Sequence, residues 1–534
     1  MKVQDVPRAA APRWPAEVDP EHVRAAAARL VAHVSDRVAA DGAIHERCRS
    51  RVLESALALA LMTRTGVTSP ARDRVRAYLK AHRDSPEKLD RVLATLATGG
   101  STVGADLAGR LTEGLLGAAP GFISARRRLM VHAVLSVLGC PVPDDIAAAA
   151  GAPAPDDPTH SWSVVQQAAV TLILARASGA GTDPGALSTL LATGPATGVW
   201  EGYVLMHLLT LHGLAGVPGQ EATVRGGVQA LLHHQHDDGG FPFVAEMDHW
   251  CSATSGLGLA AAGAPPALLD AMARTLAAHH GGAVLPSLSR GTPITGGWSI
   301  APGVALNDVD STSCVLEFLQ LIDPVTFGSA IRGGVAALLA VQGADGGFPT
   351  YVAGAVSEPC MTAAAVNALA PHPATAAARA RALTFLAGSQ LPDGGFEPGW
   401  SRSRLHTLFR ARLAAQTADP GDLRTARMAA RIERTVRETQ NADGGWGMQP
   451  GDPSDDISTA YAVIALCYGT ESQPVGRALS WLLARQDADG GFSGPPDMVG
   501  PRPFAYHLPA LTDAPVLLAF GHVLSRAAVP HHVM

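Results

Sequence analysis

In the second half of the chain, apolar residues recur at helical spacing in short blocks separated by glycine-rich turns. Val228, Ala230, Leu231 and Leu232 form one block, and Val335, Leu338, Leu339 and Val341 another. Further apolar helical runs cover 311–321, 361–370 and 457–466. Residues that recur every three to four positions share one face of a helix, so each block predicts a helix. The separating turn is a repeated motif, Gln-x-x-Asp-Gly-Gly-(Phe/Trp). It begins at Gln235, Gln342, Gln390, Gln440 and Gln486, at intervals of 107, 48, 50 and 46 residues. Gly296-Gly297-Trp298, inside the long interval, reads as a decayed copy. Glycine tolerates positive φ, so Asp-Gly-Gly is a turn, and each unit reads helix, turn, helix. Self-similarity at a fixed period implies one supersecondary unit repeated around a shared core. The Gln side chain and the aromatic ring are expected to pin each turn to neighbouring units. Helix pairs of this kind build an open superhelix or a closed double ring. The limited repeat number and the polar starts of the inner helices favour closure, with those helix N-termini lining a central cavity.

Three such polar starts stand out: the run 252–255, Asp455-Asp456-Ile457-Ser458-Thr459, and Asp308-Val309-Asp310-Ser311-Thr312-Ser313. A helix N-cap requires only one Asp, Ser or Thr. The last stretch offers two acids two positions apart, and a carboxyl sharing a site with another can hold its proton at neutral pH. Asp308 and Asp310 are therefore the candidate acid pair, with Ser311 and Thr312 as orienting hydroxyls.

Composition narrows the function classes. The 534 residues are 47% hydrophobic and 16% charged with a net charge of −6, so no basic surface for nucleic acid is expected. Six scattered cysteines without a C-x-x-C pair read as reduced, buried and cytosolic. Residues 1–21 lack the apolar core of a signal peptide, and no run of eighteen apolar residues predicts a membrane span. Residues 20–64 predict a helix pair whose second member, 53–62, is apolar enough for an inner ring helix. Residues 65–215 are Ala-rich and helical, with breaks at 99–100, 141–143 and 152–158, and carry no Asp-Gly-Gly repeat. The expected division is thus 1–64 in the ring, 65–215 as an inserted helical domain, and 216–534 as the remainder of the ring. Arg126-Arg127-Arg128 reads as a solvated helix face, because consecutive residues point in different directions. His233, His234 and His236 do not share one helix face and are not expected to bind metal.

The repeats together with the Asp-x-Asp helix start resemble the class II terpene cyclases, which include squalene–hopene cyclases and bacterial cyclases of prenyl diphosphates. The resemblance covers about 220–534 and extends to Gly444-Gly445-Trp446-Gly447, the segment 454–461 and Arg502-Pro503-Phe504. It implies an all-α fold: a double α-helical ring (α/α toroid), the β domain, with a second helical γ domain inserted near the N-terminus. The family's acid motif is Asp-x-Asp-Asp, with the middle Asp as proton donor. Asp308 matches its first position and Asp310 its middle, while Ser311 replaces the last Asp, as in the Asp-x-Asp-Thr-Thr variant of drimane-type cyclases. A carbocation needs aromatic faces, for which Trp250, Trp298, Tyr351, Trp400, Tyr461, Phe504 and Tyr506 are candidates, Trp298 and Tyr461 foremost. Arg402, Arg404 or Arg410 would hold a substrate diphosphate with Mg²⁺, and His507 or water would remove the last proton. The expected substrate is farnesyl or geranylgeranyl diphosphate, with Ser311 favouring farnesyl and a drimane skeleton. No Asp-Asp pair extends to the Asp-Asp-x-x-Asp of ionising class I synthases. Asp248-His249-Trp250-Cys251 lacks the zinc spacing of protein prenyltransferases. A prenyl-binding ring without catalysis and a squalene-type cyclase are the alternatives.

Overall fold

Helices buried on all sides alternate along the chain with helices buried on one side, and this alternation sorts them into two concentric layers. The structure, a computed structural model, describes residues 15, 18–99, 105–117, 119–150, 157–281 and 288–527. Most of the expected break at 152–158 and most of 1–21 lie outside the described residues. Helix Asp456–Leu466 is buried along its whole length. Helix Leu423–Glu438 buries only Thr425, Met428, Ile432 and Val436, one stripe at helical spacing.

Six inner helices pack in sequence: Asp248–Ala261, Val309–Ile322, Pro359–Leu369, Leu405–Ala415, Asp456–Leu466 and Ala510–Ala527. The last packs on the first, so the layer closes. Outside it lie Pro266–Ala278, Gly328–Val341, Ala376–Ser389, Leu423–Glu438 and Gln473–Leu483, and Pro20–Ser35 from the start of the chain completes the outer layer.

The repeat motif supplies the joints. Gln342, Gln390, Gln440 and Gln486 each donate from Nε2 to the carbonyl of the second residue of the turn's Asp-Gly-Gly and to a carbonyl near the start of the next outer helix. For Gln486 that second acceptor is Ala26, which ties the last turn to the first helix of the chain. The aromatic residues of several turns are also anchored through their backbones. The N–H groups of Phe348 and Trp446 donate to Thr362 Oγ1 and Thr459 Oγ1 on the following inner helices. The decayed copy does the same, with Trp298 N–H donating to Thr312 Oγ1 at 3.0 Å.

The expected boundaries shift in one respect. Helix Val52–Arg64 does not join the ring; it packs against Pro70–Ala81, Lys88–Ala97 and Val204–Leu214. The Gln235 turn goes with it, since Gln235 Nε2 donates to Ala71 O and Phe241 N–H donates to Ser55 Oγ. Strands Ser50–Arg51 and Phe241–Pro242 pair antiparallel beside them. An apolar helix suits either helical group, and the repeat interval of 107 residues already set Gln235 apart. The second group therefore reaches beyond 65–215 on both sides. Among the described residues no helix is long and apolar enough to cross a membrane, and all six cysteines are buried and unpaired.

Replacing Gln486 with Ala removes three hydrogen bonds, two donated by Nε2 and one accepted by Oε1 from Arg29, at an expected cost of about 1–3 kcal/mol. Chemical denaturation measures this against Arg24→Ala, an exposed site expected to change stability by less than about 0.5 kcal/mol. Equal midpoints for the two variants would contradict the proposed closure of the ring through Gln486.

Candidate active site

Asp308 is the N-cap of helix Val309–Ile322, and its Oδ1 accepts the Ser311 N–H at 2.7 Å. Its other oxygen is buried without a partner. Burial pushes the Asp308 carboxyl up to about 7, although the Ser311 N–H favours the anion, and the Asp310 charge adds to the rise. Asp310, one residue into the helix, faces the Arg410 guanidinium, with Oδ1 2.8 Å from Nη1. Burial works against the Arg410 charge, but Asp310, Cys314 and other neighbours outweigh it and raise its pKa. Arg410 also donates to Cys314 Sγ at 3.1 Å, which fixes the guanidinium between helices Val309–Ile322 and Leu405–Ala415.

Asp308, Asp310 and Ser311 open onto a cavity of about 420 Å³ between the ring and the second helical group. Its aromatic wall is continuous. Trp400 meets Tyr351 at 5.9 Å between ring centroids, Tyr351 meets Trp162 at 5.7 Å, and Trp162 meets Tyr203 at 4.9 Å. Tyr203 meets Phe243 at 5.0 Å and Phe243 meets Tyr506 at 4.8 Å. Two of these rings already carry a cation: Arg51 lies 4.6 Å over Phe243 and Arg502 lies 4.2 Å over Trp400. A guanidinium on a π face competes with any other positive charge for it. Trp250, Trp162, Tyr203, Tyr351 and Tyr506 are the wall rings without one.

The same wall carries Arg126, Arg127, Arg290 and Arg502. Arg502 is paired with Glu358 at 2.5 Å. Arg127 is buried, and its described partners are Met130 Sδ and Gln166 Oε1 rather than a carboxylate. Burial brings its pKa down to about 9, and Arg502 and Arg126 press in the same direction. A buried guanidinium without an anion is costly, so this part of the wall is built for one. His160, also on the wall, is pushed down to about 3 by burial and then by Arg126, Arg502 and Arg127, which keeps it neutral. Its Nε2 bonds Ser163 Oγ, while Nδ1 is buried without a partner.

Comparison with known proteins decides the family. The prenyltransferase alpha-alpha toroid domain matches residues 312–499. A drimenyl diphosphate synthase of Streptantibioticus cattleyicolor is 37% identical over 94% of this chain and 95% of its own. One of Streptomyces showdoensis is 38% identical over 92% and 93%. The chain belongs to the class II terpene cyclase family. The ent-copalyl diphosphate synthase of Streptomyces platensis shares the fold, with a TM-score of 0.54 and 20% identity over 94% of this chain and 99% of its own.

Within this cyclase, several sequence expectations move. Trp298 is fully buried, and its Nε1 donates to Leu276 O, just as Trp446 Nε1 donates to Val436 O. It is therefore a joint of the repeat, as is Thr312, whose hydroxyl accepts the Trp298 N–H and does not reach the cavity. Tyr461 lies on a second cavity of about 410 Å³ beyond Arg410, stacked on Phe409, with its hydroxyl donating to Asp497 at 3.2 Å. Trp250 lines both cavities. Phe504 is buried behind the wall, where its carbonyl accepts from Arg51. Arg402 lies beside Glu87 and Pro496 O, and Arg404 pairs with Asp393 at 2.9 Å, so neither reaches the acid's cavity. Arg410 is paired with Asp310 and, like His507, is not on the wall of the acid's cavity. Arg126 and Arg127 are not a solvated face: only Arg128 of the three is exposed.

Trp162, Tyr203, Phe243, His160, Arg126 and Arg127 were missed because they enter from the second helical group. The available signal was their rarity, aromatics being only 5% of the chain. For the implied Mg²⁺, no three acidic, His or Cys side chains among the described residues form a metal cluster. Mg²⁺ with a diphosphate needs only one or two carboxylates, and Asp157 on the cavity wall near Arg126 suits that role.

The raised Asp308 pKa fixes a pH dependence. The folded chain holds this proton between about 4 and 7 where the unfolded chain has released it, so stability falls as pH rises through that window. The contribution reaches about 4 kcal/mol once Asp308 ionises. Asp308→Asn keeps the cap and is expected to flatten this decline when urea unfolding is compared at pH 5 and pH 8. Parallel pH profiles for variant and parent would contradict the buried proton.

Proposed function

We propose that the protein converts farnesyl diphosphate to drimenyl diphosphate by protonation, leaving the diphosphate bonded to carbon. The observation that carries this reading is one aromatic-walled cavity holding both a buried carboxyl pair and a buried guanidinium without a carboxylate. The choice of farnesyl over geranylgeranyl diphosphate rests on the two drimenyl diphosphate synthases, which match over more than nine-tenths of this chain.

Asp310 passes the proton that the buried Asp308–Asp310 pair holds to the terminal alkene of the chain, and Arg410 faces the carboxylate that remains. The cation created at the adjacent carbon is attacked by the next alkene, and its successor by the one after, so two carbon–carbon bonds replace two π bonds. Trp250, Tyr351 and the other wall rings without a guanidinium stabilise the moving charge through their π faces. A proton beside the last cation leaves for His160 Nδ1. Its low pKa is no obstacle, because an alkyl cation is a far stronger acid than imidazolium. The sequence is an isomerisation with no redox change. Arg126, Arg127 and Arg502 hold the diphosphate, and bound Mg²⁺, with Asp157, would neutralise its charge. The absence of a membrane-crossing helix among the described residues and the six unpaired cysteines support a cytosolic setting.

Incubation with farnesyl and geranylgeranyl diphosphate in Mg²⁺, followed by dephosphorylation and gas chromatography–mass spectrometry, tests the reading. A bicyclic drimane alcohol from the farnesyl substrate is expected, with at least about a thousandfold loss in Asp310→Asn. Only linear farnesol would overturn it, and a bicycle from geranylgeranyl diphosphate alone would move the substrate assignment. His160→Phe is expected to lower the alkene product by about a hundredfold while still consuming substrate. An unchanged product profile would remove His160 from the role of base.

A further inference from the structure

Glu201 combines two features that the reaction above does not use. It is the only non-glycine residue among those described with positive φ, at φ 50° and ψ 28°, a left-handed conformation that costs about 1 kcal/mol or more. Gly, Asn or Asp would occupy it at less cost, so the side chain is kept for what it reaches. Its partly buried carboxyl accepts the Trp162 indole N–H at Oε2, 2.5 Å away, and the Ala305 backbone N–H is near enough to favour its anion. Trp162 stands in the cavity wall, edge-on to Tyr203 and Tyr351. Ala305 lies three residues before Asp308, on the segment that leads into the acid-bearing helix. One carboxyl thus joins a wall ring of the second helical group to the segment that carries the acid in the ring. Burial raises its pKa to about 7, while the Trp162 and Ala305 N–H groups pull the other way.

We propose that Glu201 is a positioning residue that fixes the Trp162 ring against the acid-bearing segment and thereby determines how far the cyclisation runs before it is quenched. This rests on the protonation-initiated reading of the cavity. The first alkene is protonated by Asp310, which Glu201 does not touch. The later cations must be met by rings already in place, because a displaced ring opens room for water or early proton loss. A misplacement of about 1 Å costs on the order of a hundredfold in such a step. Loss of Glu201 therefore changes what is made more than how fast substrate disappears.

Glu201→Gly tests this without straining the fold, since glycine adopts the left-handed conformation freely and its melting temperature is expected to equal or exceed the parent's. Two readouts apply. In ¹H–¹⁵N spectra of indole-labelled protein, the Trp162 Nε1 signal, assigned by its loss in Trp162→Phe, moves in Glu201→Gly and stays near its parent position in Glu201→Gln. With farnesyl diphosphate, Glu201→Gly raises the share of monocyclic and hydroxylated products about tenfold while total consumption falls less than about threefold. Glu201→Gln restores the parent ratio, and adding Trp162→Phe to Glu201→Gly produces little further change. A stationary indole signal would overturn the anchoring. A moved signal with the parent product ratio would overturn the role in the cascade. Failure of the parent to make any bicycle would refute the cyclase reading instead, and the indole signal would still report on the anchor.

Discussion

Protonating an isolated alkene requires an acid that keeps its proton near neutral pH, and water is the main obstacle to that. Burial of the Asp308–Asp310 helix start is the constraint on which the other features of the ring bear. Six inner helices close on themselves, and the N-terminus of Val309–Ile322 lies buried at the cavity wall. The cost of removing a carboxyl from water appears as the raised pKa of Asp308. Arg410, fixed through Cys314, supplies the opposite charge to Asp310 and so allows both acids to lie in one buried place.

The cavity wall divides its charge among separate tasks. Arg127 waits without a carboxylate beside Arg126 and Arg502, which suits an anionic ligand. Arg51 and Arg502 cover one face of Phe243 and Trp400, and those rings are thereby poor hosts for a second cation. Trp250, Tyr351, Trp162, Tyr203 and Tyr506 carry no guanidinium and are the rings open to the moving charge of the proposed reaction. His160 is kept neutral by burial first and then by the arginines around it, which suits the base proposed for the last step.

The repeat motif made the ring legible. Its period, its turn glycines and its polar helix starts all reflect local geometry, and local geometry leaves a pattern in sequence. Asp308 and Asp310 were legible for the same reason, as two acids where one cap suffices. What stayed hidden depends on contacts between segments far apart in the chain. Trp298 looked like a cation contact from its nearness to the acid, yet its indole N–H serves Leu276 in the same joint that Trp446 makes with Val436. Arg126 and Arg127 looked solvated because nothing in their own helix announces the cavity they face. Helix Val52–Arg64 was placed in the ring on apolarity alone, and apolarity does not name a partner.

The central claim is that a carboxyl proton, not loss of diphosphate, starts the reaction. Turnover of farnesyl diphosphate in D₂O, with the bridging oxygen labelled with ¹⁸O, tests it most directly. The account predicts one deuterium in a ring methylene of the bicycle, on the carbon next to the one bearing two methyl groups, and full retention of ¹⁸O after enzymatic dephosphorylation. A cyclic product without deuterium, or one formed with release of inorganic diphosphate, would contradict it.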